Sequence, residues 1–168
     1  MHRFLTLCFA LAMCDYISNL SKMIYEEPRP FWVDPLIKTN ICHKGFGNPS
    51  GHSLSSAAVW TLLGIQLAHS RFYRREPVYE PFWMGVGIKK AVVIATTRFV
   101  LGAHSLNQII FGFSLGLWIC FFSLNIVQPA FKLALKRNFT WDDPGYTRQI
   151  AICLTSLVLL FIVTSSVY

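Results

Sequence analysis

Three short clusters hold the residues whose types and spacing could do chemistry. Lys22 and Arg29-Pro30 are separated as Lys, six residues, Arg-Pro; Pro49-Ser50-Gly51-His52 follows; Arg98 and His104 are separated as Arg, five residues, His. Lys and Arg are permanent cations, and Arg presents a planar fork suited to tetrahedral oxyanions. Ser50 is a good helix cap behind Pro49, so the free backbone N–H groups of Ser50, Gly51 and His52 would face an anion at a helix N-terminus. Gly51 lets that anion approach the backbone, and both imidazoles titrate near neutrality. Converging cations, amides and two imidazoles are what phosphoryl transfer needs, since positioning and charge stabilisation supply most of its rate. One imidazole could attack phosphorus while the other protonates the leaving oxygen. Taken singly, each Arg could equally be a snorkelling interfacial residue and each His a satisfied cap.

The elements that must position these residues are apolar helices. The first apolar run is Phe4 to about Met23, ending near Glu26-Glu27-Pro28 because residues before proline leave the α region. It runs into Lys22 without a small-residue cleavage site, which makes it a retained helix and not a signal peptide. Residues 27–49 form a polar loop rich in Pro and Gly. Helix two is expected over about Ser50–His69, helix three over Phe82–Gly102, helix four over His104–Val127 and helix five over Gln149–Val167, with polar connections at 70–81 and 128–148. Gly112 and Gly116 are spaced for close helix packing. Alternation then brings all three clusters to one membrane face. Arg3, Arg71, Arg74, Arg75, Lys89, Lys90, Lys132, Lys136, Arg137 and Arg148 fall on the other, with the two mid-helix lysines fitting least well. The positive-inside tendency makes the clustered face lumenal, extracellular or periplasmic, and an endoplasmic reticulum membrane is compatible with it. Asn138-Phe139-Thr140 matches a glycosylation acceptor, but this topology puts it on the cytosolic side, where it would go unused.

Composition narrows the class further. The chain has 168 residues, 54% of them hydrophobic, and a mean hydropathy of +0.45. Its net charge of +7 is scattered between apolar segments instead of forming a stripe, which argues against nucleic acid as a partner. The five cysteines show neither zinc nor disulfide spacing, and Cys42 alone lies in a polar loop. His2, His43 and His69 also lack ligand spacing. No cage of carboxylates suited to magnesium is visible, so a route without metal or cofactor is expected.

Together the clusters resemble the three-part signature of the type 2 phosphatidic acid phosphatase and vanadium haloperoxidase superfamily. That signature is Lys-x6-Arg-Pro, Pro-Ser-Gly-His and Ser-Arg-x5-His-x3-Asp; here it reads Lys22-x6-Arg29-Pro30, Pro49-Ser50-Gly51-His52 and Thr97-Arg98-x5-His104-x3-Gln108. Thr97 replaces serine. Gln108 stands where most members carry an aspartate, as in the glucose-6-phosphatase-like branch, to which Arg29-Pro30-Phe31-Trp32-Val33 and Asp15 add similarity. The resemblance implies an all-α transmembrane bundle, for which the apolar runs give about five spans where members usually have six or more, in a single domain over 1–168, with a motif core at 22–108 and an accessory C-terminal helix at about 149–167. It further implies His104 as a nucleophile forming a phosphohistidine and His52 as proton donor. Lys22, Arg29, Ser50, Gly51 and Arg98 would hold the phosphate, and Gln108 would orient the nucleophile. The expected activity is hydrolysis of a sugar phosphate or a lipid phosphate, with Phe31 and Trp32 either seating the substrate or forming an interfacial belt. The competing reading, motivated by Gln108 and by a chain that starts almost at the first motif, is a non-catalytic subunit completed by neighbouring membrane subunits.

Overall fold

The computed structural model describes residues 1–39, 45–70 and 79–138. Five helices dominate: α1 His2–Tyr25, α3 Gly51–Ala68, α4 Tyr79–Val100, α5 Leu106–Phe122 and α6 Gln128–Asn138, with a single-turn α2 at Pro30–Val33. The helix expected at 149–167, Cys42, His43, Cys153 and the basic residues of 71–75 and 148 lie outside the described residues.

Helix α3 is the hub, packed against α1, α4 and α5. Its inward faces are small: Ser53, Ser56, Ala57, Ala58, Gly64 and Ala68 are buried. Small residues let backbones approach, and the glycines opposite show how closely. A Cβ on Gly116 would lie 2.2 Å from the Leu54 carbonyl oxygen, one on Gly112 2.7 Å from that of Ser50, and one on Gly87 2.4 Å from that of Trp60. Replacing any of these three would drive two helices apart. Leu54, Leu62, Ile119, Ala10 and Cys14 fill the space between α1, α3 and α5.

The exterior inverts the usual pattern. Phe4, Leu11, Leu20, Val92, Val93, Ile110, Trp118 and Phe121 are exposed, whereas Thr6, Ser18, Ser50, Ser53, Ser56, Gln66 and Ser123 are buried. Such a continuous apolar exterior suits a lipid surrounding. Two segments, His2–Val33 and Leu106–Lys136, are long and apolar enough to cross a membrane by length and composition. Helices α3 and α4 fall outside that test, so among the described residues the helical bundle has two candidate spans, and the helix expected at 149–167 lies beyond them.

Two boundaries differ from expectation. Helix α5 does not stop at Val127: a π-turn at Ser123–Val127 carries the chain into α6 and through to Asn138. Pro129 then falls in the first turn of α6, where its missing N–H is tolerated, and the wider π-turn absorbs the register change. At the other end, His104 precedes α5 instead of opening it. Gly102 takes a left-handed φ of 63°, and Ser105 caps the helix through a capping box with Gln108.

Opposite helix ends are fixed by different chemistry. At one end Arg3 Nη1 and Nη2 donate to the carbonyls of Gln66 and His69, each at 2.7 Å, so a cation meets the C-terminus of α3. At the other end the Lys22 ammonium lies beside Gly51, 3.8 Å from where a Cβ would be. The ends of α1 and α4 and the starts of α3 and α5 therefore gather at this second face.

Candidate active site

His104 is the best-defined of the candidate side chains. It is 4% exposed, in the turn between α4 and α5. Its Nδ1 lies 2.9 Å from the Gly47 carbonyl oxygen and 3.2 Å from Gln108 Oε1. A carbonyl can only accept, so Nδ1 carries the proton and Nε2 presents a lone pair. That lone pair faces Arg29, whose Nη1 is 3.3 Å away. Burial first, and then the Arg29 guanidinium, pulls the imidazole down to about 4, while its bonds to Gln108 and Gly47 act weakly the other way. His104 is thus neutral at pH 7, the state in which Nε2 keeps its lone pair.

Arg29 is buried to the same degree and held by the backbone. Nε donates to the Gly45 carbonyl at 2.6 Å, Nη1 to that of Ala103 at 3.3 Å and Nη2 to that of Phe46 at 3.5 Å. Pro30 opens the single turn of α2 and fixes the chain direction just after Arg29. Trp32, at the foot of that turn, meets Phe31 and Phe46 edge to face, with centroids 6.1 and 6.2 Å apart, which pins the 45–47 segment. The Phe31-Trp32 pair therefore has a structural partner in Phe46.

Gln108 does more than orient one ring. It is the third residue of α5, and its Oε1 accepts the Ser105 N–H at 3.3 Å as well as facing His104. Its Nε2 donates to Glu27 Oε1 and to the Pro28 carbonyl, each at 3.0 Å. Gly47 makes room for this amide: a Cβ there would sit 2.6 Å from it.

The second group forms the wall of a cleft of about 440 Å³ between α1, α3 and α4. Lys22, Gly51 and His52 line one end of it; Asp15, Ser18, Asn19 and Ser55 follow, and Leu11, Val59, Trp60 and Ile94 line its apolar end. Lys90 Nζ sits 4.5 Å from the Trp60 ring centroid, which gives one mid-helix lysine a cation–π partner. Arg98 lies in the last turn of α4, and its Nε is buried with no hydrogen-bond partner among the described residues; it is not among the residues lining the cleft.

Ser50 departs from expectation in detail. It stands at the cap position of α3 but makes no side-chain cap bond; its Oγ instead accepts from Ser53 Oγ at 2.9 Å, and its backbone N–H donates to the Gln108 carbonyl at 3.1 Å. It is fully buried, so it links α3 to α5 beneath the site. Sequence reasoning missed Glu27 and the carbonyls of Gly45, Phe46, Gly47 and Ala103. Only the glycines in Gly45-x-Gly47 offered a signal, as positions where the backbone must come close. Among the described residues no group of three or more His, Cys, Asp or Glu side chains could hold a metal ion.

The sequence and the fold are similar to those of several known proteins. The family model described as the PAP2 superfamily matches residues 3–132. An undecaprenyl-diphosphatase from Sulfolobus acidocaldarius is 30% identical over 126 residues, covering 73% of this chain and 54% of that protein. A dolichyldiphosphatase from Saccharomyces cerevisiae is 24% identical over 144 residues, covering 80% and 60%. The glucose-6-phosphatase catalytic subunit 1 of Bos taurus is also 24% identical over 144 residues, covering 74% and 40%. The chain thus spans about half the length of the curated relatives it matches. Among solved structures, a transmembrane PAP2-type phosphatidylglycerolphosphate phosphatase from Bacillus subtilis superimposes with a TM-score of 0.64 at 23% identity, over 80% of this chain and 61% of that one.

Proposed function

The chain belongs to the PAP2 superfamily, and from that premise we propose that it is an integral-membrane phosphatase that hydrolyses a lipid phosphate ester through a phosphohistidine on His104. The observation that carries this reading is the state of His104: Nδ1–H held by Gly47 and Gln108, with the Nε2 lone pair facing Arg29.

In the proposed reaction, a phosphate group enters beside Arg29, Lys22 and the N–H groups at the start of α3, and Arg98 adds its unpartnered donor. These cations hold the non-bridging oxygens as charge spreads over them, and the route draws on no metal. Nε2 of His104 attacks phosphorus and the bond to the leaving oxygen breaks; His52, at one end of the cleft, delivers a proton to that oxygen. His52 then takes a proton from water, which attacks the phosphohistidine and regenerates neutral His104. Gln108 accepts from Nδ1–H throughout, keeping the nucleophilic nitrogen aimed outward.

The cleft favours a lipid over a free sugar phosphate. It begins at Lys22 and His52, where the leaving group must depart, and continues along Leu11, Val59, Trp60 and Ile94 between helices whose outer faces are apolar. An acyl or prenyl chain fits that gradient; a sugar would leave its apolar end unused. The names of two relatives, an undecaprenyl- and a dolichyl-diphosphatase, point to the same class. The multi-pass placement, with the site on the non-cytosolic face, belongs to this proposal too.

The test is turnover by purified protein in detergent with a generic phosphomonoester and with a prenyl phosphate, with and without vanadate. Wild type is expected to release phosphate in a vanadate-sensitive way, and His104→Ala to abolish release. Equal release by His104→Ala would exclude the nucleophile; no release by folded wild type from any phosphate ester would favour the non-catalytic subunit.

A further inference from the structure

The bonds around Gln108 assign a role to a residue outside the signature. We propose that Glu27 is a positioning residue for His104, acting through Gln108 and Gly47. The inference rests on the reading of His104 as the nucleophile and deepens it.

Gln108 is a neutral amide with two chemically different ends, and only one end can serve His104. Oxygen must face Nδ1–H; an NH₂ group there would put donor against donor. The choice is made on the far side. Nε2 donates to Glu27 Oε1 and to the Pro28 carbonyl, both at 3.0 Å, and an ionised carboxylate and a carbonyl can only accept. A flip would set oxygen against these two oxygens, and NH₂ against the Nδ1–H of His104 and the N–H of Ser105. Four hydrogen bonds would be lost together, in a region where Gln108 is 1% exposed and water cannot replace them.

Glu27 is itself held at three points. Its Oε2 accepts from Asn48 Nδ2 at 2.6 Å, and its Oε1 accepts also from Asn107 Nδ2 at 3.2 Å. Its backbone carbonyl accepts the Gly47 N–H at 2.8 Å. Gly47 is the other residue that accepts from His104 Nδ1. Glu27 therefore fixes both acceptors of the imidazole: one through its carboxylate, the other through its main chain. It also places a negative charge one side chain away from a ring that turns cationic when Nε2 bonds to phosphorus, a charge that Gln108 lacks.

A residue that merely tied the segment after α1 to α5 would show the same contacts, so the test exchanges the pair. Full-length wild type, Glu27→Gln, Gln108→Glu and the double variant Glu27→Gln/Gln108→Glu are compared for kcat and KM with p-nitrophenyl phosphate, and for the His104 ring N–H resonance by NMR of ¹⁵N-histidine-labelled protein. Glu27→Gln is expected to lower kcat about 10- to 100-fold with KM within about twofold, the usual scale for a group that orients a reacting one. Gln108→Glu alone sets two carboxylates face to face and also falls. In the double variant a carboxylate meets Nδ1–H directly and residue 27 supplies the amide, so kcat returns to within about fivefold of wild type. The Nδ1–H resonance follows the same order: downfield and slowly exchanging in wild type, upfield and faster in Glu27→Gln, restored in the exchanged pair. Losses that multiply in the double variant, or a ring resonance unmoved in folded Glu27→Gln, would overturn the proposal. Wild type with no turnover but with this resonance pattern intact would overturn the enzymatic reading and leave the positioning role standing.

Discussion

Acid should destabilise this protein through His104 by an amount the structure sets. The imidazole lies near 6.5 in an unfolded chain and is drawn down to about 4 in the folded one, by burial and by Arg29. Between those limits the unfolded state binds a proton that the native state refuses, so stability is full above about pH 6.5 and declines as pH falls toward 4. At 1.36 kcal/mol per unit, the loss across the window is about 3 kcal/mol. That is a large part of the few kcal/mol by which a domain is stable. The assay is thermal or denaturant unfolding in detergent at several pH values from 7.5 to 4, for wild type and for His104→Asn. The remaining ionisable groups are common to both proteins, so their contribution cancels in the difference. The wild-type curve should fall relative to the variant by about 3 kcal/mol, and almost all of that fall should lie below pH 6.5. Saturating vanadate or phosphate should flatten the wild-type slope, because an oxyanion offsets Arg29 and Lys22 and lets the ring take its proton. Parallel curves for wild type and variant would refute the description of His104 as a neutral ring buried against a cation. A slope unaffected by the anion would move the phosphate elsewhere.

Two further outcomes follow from the same geometry. Arg29→Lys keeps the charge but cannot meet three carbonyls and Nε2 at once; kcat/KM should drop about 10²- to 10³-fold, the scale of losing one transition-state donor, and a loss under about fivefold would show that charge alone suffices. Val59→Phe, which narrows the cleft between α1, α3 and α4, should raise KM for a prenyl phosphate at least about tenfold while leaving p-nitrophenyl phosphate within about twofold; equal effects on both substrates would remove the cleft from the lipid path.

What the sequence disclosed and what it hid divide along a physical line. The clusters were legible because each is local. A cation seven residues before Arg-Pro, a Ser-Gly pair behind a proline and a histidine six residues after an arginine all mark helix ends, and apolar runs of helical length indicate which ends share a face. The glycines at 112 and 116 were legible for the same reason, since one helical turn separates them. The network that gives His104 its tautomer was not local: Glu27 reaches Gln108 across 81 positions, and Gly47 reaches His104 across 57. Most of the acceptors are also main-chain carbonyls at 45, 46, 47 and 103. Every residue type supplies a carbonyl, so composition and spacing cannot announce one. What they can announce is a place where a side chain would be in the way, and Gly47 is such a place because the Gln108 amide occupies the space its Cβ would need. A neutral residue at 108 thus raised the right question at the wrong address. The missing carboxylate lies at the end of α1, on the far side of an amide that only the folded chain turns toward it.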